Sequence, residues 1–413
     1  MTGGDTSRVV IVGGGECAAR AASALREHGH VGQIVVLADE PLAPYERPPL
    51  SKAALTDREP LPVTVLSAAA ADEQKIDLLT GERAVAMDRQ AKVIELASGA
   101  RIPYDRALLA TGARARALPV PGGELADTLR TFADAARLHA RLTSGASVVV
   151  IGAGFIGLEA AASARRRGCR VTVVETATRA MGRGVPESVA EVLVKRHIAE
   201  QVDLRFDADV RGIEAAGDAL VVDLGSSGGT LTADVVLAGV GAIPNTELAT
   251  AAGLVVENGI AADAGMRTSD PTVFAAGDCC SMPHPLFGGL RMRLESWRMA
   301  REQATVAAAN LAGSDEVCRA VPWFWSDQYD LTLQIIGVPA LAVLEVVRNN
   351  ADGTSVQFGL DATGRLVCAS TVAGPDRFAV FKTIKLAERL IANASAPDPV
   401  ALRDPAVNLR SLL

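Results

Sequence analysis

No two of the six cysteines, Cys17, Cys169, Cys279, Cys280, Cys318 and Cys368, stand at a CxxC or CxxxxC spacing. An active-site dithiol, a zinc site and an iron–sulfur cluster all need closely spaced thiolates, so each is excluded and no metal site is expected. Buried free thiols are the expectation, and the adjacent Cys279 and Cys280 are poorly placed to bridge. Every apolar stretch is broken by Gly, Glu or Arg before it reaches the roughly 18 residues of a membrane span, which argues against a membrane partner. Positive charge is in deficit: 41 Lys and Arg against 48 Asp and Glu leave a net charge of −7, which argues against nucleic acid as a partner. Met1 to Arg8 is polar and runs straight into a strand at Val9, leaving no room for an apolar leader, so a cytoplasmic location is expected. None of the five histidines sits in a catalytic constellation. His284 reads as a loop residue.

The chain does have length, 413 residues at 49% hydrophobic content, enough for two or three domains with their own cores. Glycine is placed with purpose. Val9-Val10-Ile11-Val12-Gly13-Gly14-Gly15-Glu16-Cys17-Ala18 and Val148-Val149-Val150-Ile151-Gly152-Ala153-Gly154-Phe155-Ile156-Gly157 are two dinucleotide-binding loops, 139 residues apart. Each follows a β-branched run and opens a helical pattern. In such a loop the first glycine permits the tight strand-to-helix turn and the second lets backbone approach a pyrophosphate. The helix N-terminus then offers free N–H groups to the anion. In the first loop Ala18 stands for the third glycine and Cys17 lies beside it. Glu16 is out of place there, because a carboxylate near a pyrophosphate repels it unless it points away. Asp39, 26 residues after Gly13, ends the next strand where it can accept from ribose hydroxyls, with Glu40 as a neighbouring candidate. Glu175, 23 residues after Gly152, does the same for the second loop and favours a free 2′-hydroxyl, so NADH is expected over NADPH. Arg179 and Arg183 would soften that preference.

Strands are predicted at Arg8–Val12, Gln33–Leu37, Ala107–Ala110, Ser147–Ile151, Arg170–Val174, Val235–Ala238 and Thr272–Ala275. Helices are predicted over Cys17–His28 and Ile156–Arg167, closed by Gly29 and Gly168. Alternating strands and helices imply parallel sheets covered on both faces. After Pro322 short strands follow at Leu331–Ile336, Ala342–Arg348, Ser355–Leu360 and Leu366–Val372, then a helix at Phe378–Ala392. The expected fold is therefore α/β, with two Rossmann-like dinucleotide-binding domains and a C-terminal α+β domain. The expected boundaries are 1–115 and 244–320 for a first domain in two parts, 116–243 for the second, and 321–413 for the third. Ala110-Thr111-Gly112 closes the first nucleotide half and Gly241 lies in the segment that closes the second. Gly277-Asp278 ends the strand Thr272–Ala275, where Gly277 allows close approach and Asp278 can hold a sugar hydroxyl or a bound water.

Several segments carry a resemblance: Pro44-Tyr-Glu-Arg-Pro-Pro-Leu-Ser-Lys52, Ala275-Ala-Gly-Asp278, Glu295-Ser-Trp297, Pro322-Trp-Phe-Trp-Ser-Asp-Gln328 and Asp404-Pro-Ala-Val-Asn-Leu-Arg410. With them the chain resembles, over essentially its whole length, the FAD-dependent NADH:ferredoxin reductases of bacterial oxygenase systems. The resemblance implies a glutathione-reductase-like fold without the dithiol, FAD in the first site and NADH in the second. It implies that Lys52 lies near flavin N5 and that Glu159 lies near the nicotinamide and pairs with the lysine. Phe155 would gate the nicotinamide pocket. Arg47 and Arg130 would reach the FAD adenosine and phosphates, Val85 would contact the adenine, Pro49 would stiffen the loop beside the flavin, and Trp297, after Glu295, would border the isoalloxazine. Ile156 belongs to the same nucleotide set. Trp325 would lie towards the ferredoxin face, and Arg291, Arg293, Arg298 and Arg301 would form a basic patch that steers an acidic [2Fe–2S] ferredoxin. A terminal oxygenase, a cytochrome P450 or a ring-hydroxylating dioxygenase, would be served indirectly. Disulfide reductase, NADH oxidase or peroxidase, and an NADH-sensing flavoprotein resembling apoptosis-inducing factor are the competing readings.

Overall fold

The computed structural model describes residues 6–182, 184–374 and 378–413. The strands of its two larger parallel sheets are β1 (Val9–Val12), β2 (Ile34–Ala38), β3 (Ile76–Thr80), β4 (Arg106–Leu109), β5 (Ser147–Ile151), β6 (Arg170–Val174), β7 (Asp203–Arg205), β8 (Val235–Ala238) and β9 (Val273–Ala275). The long helices among them are α1 (Glu16–Glu27), α2 (Phe155–Arg166), α3 (Glu187–Ala199) and α4 (Trp297–Leu311). The chain divides into two compact units, one of residues 1–47, 62–114 and 243–322, the other of 48–61, 115–242 and 323–413.

In the first unit the strands lie in the order β9-β4-β1-β2-β3, all parallel. β1 and β2 are buried along their whole length, which is why they read as unbroken Val and Ile runs. β3 has no counterpart among the predicted strands. It is the sheet's edge and only its first residue is buried, so Ile-Asp-Leu-Leu-Thr lacks the apolar run of a central strand. Helices α1 and α4 pack against each other, and Ala18, Ala21 and Ala22 of the one and Ala304, Ala307 and Ala308 of the other are all fully buried. A three-stranded antiparallel sheet of Ala84–Asp88, Val93–Leu96 and Arg101–Pro103 joins this unit, also without a predicted counterpart.

The second unit repeats the parallel design in the order β7-β6-β5-β8. A second antiparallel sheet of Gly212–Ala216, Ala219–Asp223 and Thr230–Ala233 follows. Pro48–Leu61, inside the expected 1–115 part, groups with the second unit and packs on its helices. The Ser163 hydroxyl donates to the Ser51 carbonyl at 2.7 Å, and the Arg167 guanidinium donates to the Leu55 carbonyl at 2.9 Å. The C-terminal part is an antiparallel sheet of β10 (Trp323–Gln328), β11 (Leu331–Gly337), β12 (Leu344–Asn349), β13 (Ser355–Leu360) and β14 (Leu366–Ala373), ordered β10-β11-β14-β13-β12, followed by helix α5 (Phe378–Ala392). β12 starts two residues later than expected, after a 3-10 turn at Pro339–Leu341. No helix among the described residues is long and apolar enough to cross a membrane.

Candidate functional site

Both glycine loops sit at the C-terminal ends of central parallel strands, and they are built alike. Gly13 has φ +141°, and a Cβ there would lie 2.1 Å from the Ala110 carbonyl oxygen. Gly152 has φ +103°, and a Cβ there would lie 2.6 Å from the Gly239 carbonyl oxygen. No side chain fits at either place. Gly157 packs equally tightly, its Cβ position falling 2.1 Å from the Gly152 carbonyl. Gly15 and Gly154 differ: a Cβ on either meets nothing within 4 Å. Each is the N-cap of its helix, and neither helix start has a side-chain cap. Two helix N-termini thus present uncapped backbone N–H groups to open space, the cradle that a pyrophosphate fills. The residues present fit a dinucleotide in each unit.

The expected FAD-site segments converge within the first unit. Ala110, Thr111 and Gly112 continue β4, and the Thr111 hydroxyl donates to the Asn245 carbonyl at 2.6 Å while the Asn245 amide returns a bond to the Thr111 carbonyl at 2.8 Å. Gly277 follows β9 and lies over Cys17, where any Cβ would come within 3.2 Å of the Cys17 Cβ, and its N–H donates to the side-chain Oε1 of Gln303 at 2.8 Å. The small side chain of Cys17 is what this close packing needs. Asp39 is exposed just past β2, and Asp278 is half-buried. Glu40 is already engaged: it accepts from the Tyr45 hydroxyl at 2.6 Å and pairs with Arg47 at 2.8 Å. Val85 is exposed on its strand. Arg130 belongs to the second unit, where its backbone N–H caps onto Asp134 at 3.1 Å.

In the second unit Glu175 ends β6 and its carboxylate accepts from the backbone N–H of Ala153 at 2.8 Å and of Ala177 at 2.9 Å. The acid therefore ties the glycine loop to the strand end. The Arg179 guanidinium donates to the carbonyls of Gly182 and Val185, each at 3.1 Å. Arg183 lies outside the described residues. Ile156 is 45% exposed beside the loop, and Gly241 lies just past β8.

A charged pair occupies the same unit. The Lys52 ammonium donates to Glu159 Oε2 at 2.9 Å and to the carbonyl of Pro48, which with Pro49 begins a 3-10 turn, at 3.2 Å. Glu159 is only 4% exposed, and two hydroxyls that sequence reasoning missed also serve it: Ser51 donates to Oε2, and Ser326 donates to Oε1 at 2.6 Å. Both serines lie inside the Pro44–Lys52 and Pro322–Gln328 segments, but only the period-2 alternation of β10 signals Ser326, by putting it on one face with Phe324. Phe324 packs its ring, tilted by 43°, against Phe155 of α2 with centroids 4.2 Å apart, one turn before Glu159. On the opposite face Trp325 stacks on Trp323 at 4.9 Å and lies 5.9 Å from the Lys52 nitrogen.

Each arginine of the expected basic patch has an acidic neighbour. Arg291 pairs with Glu257 at 3.1 Å, Arg293 with Glu295, Arg298 with Glu302 at 3.8 Å, and Arg301 with Glu16. Each of these pairings lies within the first unit. The Arg301 guanidinium also lies 4.9 Å from the Trp297 ring centroid. Glu16 is buried and turned to this arginine, which answers the repulsion its position in the loop implies. All six cysteines are free and buried, as expected. Burial pushes every thiol above its ordinary range, Cys318 to about 11 and Cys368 to about 12. Cys17, beside the first loop, is raised by burial and then by the neighbouring Cys279 and Asp278. None is a thiolate poised to attack.

Comparison with known proteins agrees with this geometry. Residues 7–304 match the pyridine nucleotide-disulphide oxidoreductase family and residues 323–413 match a reductase C-terminal domain. The ferredoxin–NAD(+) reductase component of the anthranilate 1,2-dioxygenase system of Burkholderia cepacia is 43% identical over 409 residues, 98% of each chain. Among solved structures, the ferredoxin reductase for the CYP199A2 system of Rhodopseudomonas palustris superposes with a TM-score of 0.91 at 38% identity, covering 98% of this chain and 99% of that one. Putidaredoxin reductase in its covalent complex with putidaredoxin gives a TM-score of 0.90 at 35% identity, covering 99% of this chain and 98% of that one.

Proposed function

The chain belongs to the pyridine nucleotide-disulphide oxidoreductase family, and from that premise we propose that it is an FAD-carrying ferredoxin reductase that draws electrons from NADH for a cytochrome P450 or a ring-hydroxylating dioxygenase. The observation that carries this reading is the pair of open glycine cradles in a chain whose thiols are all buried. Electrons that enter at a nicotinamide site have no disulfide here to leave by, so they need an acceptor outside the chain. A [2Fe–2S] ferredoxin meets that need, and we place the reaction in the cytoplasm.

Bound FAD supplies a carrier that accepts a hydride's two electrons together and gives them up singly. The rest is the chain's own work. Gly15, Ala110–Gly112 and Gly277–Asp278 would hold the FAD backbone, with Asp39 on the adenosine ribose. Gly154 and the α2 N-terminus would hold the NADH pyrophosphate, and Phe155 would cover the nicotinamide. Lys52, fixed by Glu159 and the Pro48 carbonyl, is the positive charge that would stabilise the reduced isoalloxazine.

Two features support NADH over NADPH. Glu175 puts a carboxylate where a 2′-phosphate would be repelled, and Arg179 is spent on main-chain carbonyls. Glu175→Ala is expected to lower the NADH:NADPH ratio of kcat/KM about tenfold, a difference of one lost discriminating contact. An unchanged ratio removes Glu175 from the ribose role. The function itself is tested by cytochrome c reduction with NADH. Turnover that rises only when a [2Fe–2S] ferredoxin is added supports the reading; a protein that cannot take up FAD, or whose turnover no ferredoxin raises, refutes it.

A further inference from the structure

The Lys52–Glu159 pair is the visible end of a longer polar chain through the second unit's interior. β10 carries Ser326 and Gln328 on one face, both 0% exposed, and α3 carries His197, also 0% exposed. Gln328 Nε2 lies 3.1 Å from Ser326 Oγ, Gln328 Oε1 lies 2.9 Å from His197 Nε2, and His197 Nδ1 lies 3.1 Å from the Tyr329 hydroxyl. Chemistry fixes the sense of every bond. An anionic Glu159 can only accept, so Ser326 spends its single proton on Oε1 and is left to accept from Gln328. The Gln328 carbonyl oxygen then needs a donor, which requires a proton on His197 Nε2. In the neutral ring Nδ1 is therefore the acceptor for the Tyr329 hydroxyl. The donors all point one way, Tyr329 to His197 to Gln328 to Ser326 to Glu159, and such chains strengthen each member. With no solvent to substitute, removing one link leaves its neighbours unmatched.

We propose that His197 and Gln328 are positioning residues for the reductase reaction, holding Glu159 through Ser326 so that its other oxygen fixes the Lys52 ammonium. The inference rests on the proposed function for what Lys52 does and on the observed bonds for how it is held. Nothing local marks His197: it lies 131 positions from Gln328 on a helix of ordinary pattern.

His197→Leu removes the donor at similar bulk, and His197→Gln returns an N–H where Nε2 stood. Flavin reduction at saturating NADH, followed by stopped flow, is expected to slow about tenfold in H197L, with the NADH dissociation constant and FAD content unchanged. H197Q is expected to recover most of the loss. Equal slowing in both variants, or none in H197L, overturns the proposal. Nitrogen-15 NMR of histidine-labelled holoprotein reads the chain without NADH. An Nε2–H neutral tautomer for His197 supports it, and an Nδ1–H tautomer overturns it. Failure of NADH to reduce the wild-type protein would sink the functional reading, while the tautomer would still decide the chain.

Discussion

Gly154→Val is expected to yield a folded, yellow protein whose kcat/KM for NADH is about 100-fold lower, a loss near 2.7 kcal/mol of transition-state binding. The reason lies in the difference between neighbouring glycines. A side chain at Gly152 or Gly157 would strike main-chain carbonyls 2.6 and 2.1 Å away and disturb the fold. At Gly154 the Cβ has no neighbour within 4 Å, and the backbone, at φ −81°, is one that valine adopts. The two methyl groups would stand only where the pyrophosphate is proposed to approach the helix N-terminus. The variant therefore separates the two loops: FAD content, measured by absorbance after denaturation, should match the wild type. The equivalent Gly15→Val should show the opposite pattern, a normal circular dichroism spectrum with FAD lost. If G154V keeps wild-type kcat/KM for NADH, the second loop does not hold the nicotinamide dinucleotide.

What can be read from the sequence divides along a physical line. β5 is buried beyond Ser147 and β6 is buried at Val171, Val173 and Val174, so they appear as β-branched runs whose predicted and observed ends coincide. The glycines are legible because the conformation and clearance they provide are strictly local needs. β3 and the small antiparallel sheets are not legible, because edge strands exposed on one side share their composition with loops. Electrostatic partnerships are the least legible. The run Arg291 to Arg301 looks basic when only its own residues are counted, yet Arg301 is neutralised by Glu16, 285 positions away. Family resemblance pairs Glu159 with Lys52, while its hydroxyl donors Ser51 and Ser326 lie 108 and 167 positions away, where the alternation of β10 gives the face of Ser326 but not its partner.

Replacing Lys52 by Met is expected to slow flavin reduction by NADH about 100-fold, the scale of losing one preorganised charge from an electrostatically assisted step. That variant alone is ambiguous, since it also strands the nearly buried carboxylate of Glu159 with only hydroxyl donors. Leaving such a charge unpaired costs about 1–3 kcal/mol even after allowing for the partial exposure of Lys52. The double variant Lys52→Met with Glu159→Gln separates the two effects. The neutral amide introduced by Glu159→Gln needs no counter-charge, and its oxygen can still accept from a serine hydroxyl, so the thermal midpoint should return most of the way to the wild-type value. The reduction rate should stay low, because the ammonium is still missing. Glu159→Gln by itself should be the mildest of the three in rate, keeping the lysine while loosening its hold. The thermodynamic cycle among these variants then reports the coupling of the pair in stability and in rate separately. A double variant that regains both would mean that Lys52 serves only to neutralise Glu159, and the role proposed for it in stabilising the reduced flavin would fall.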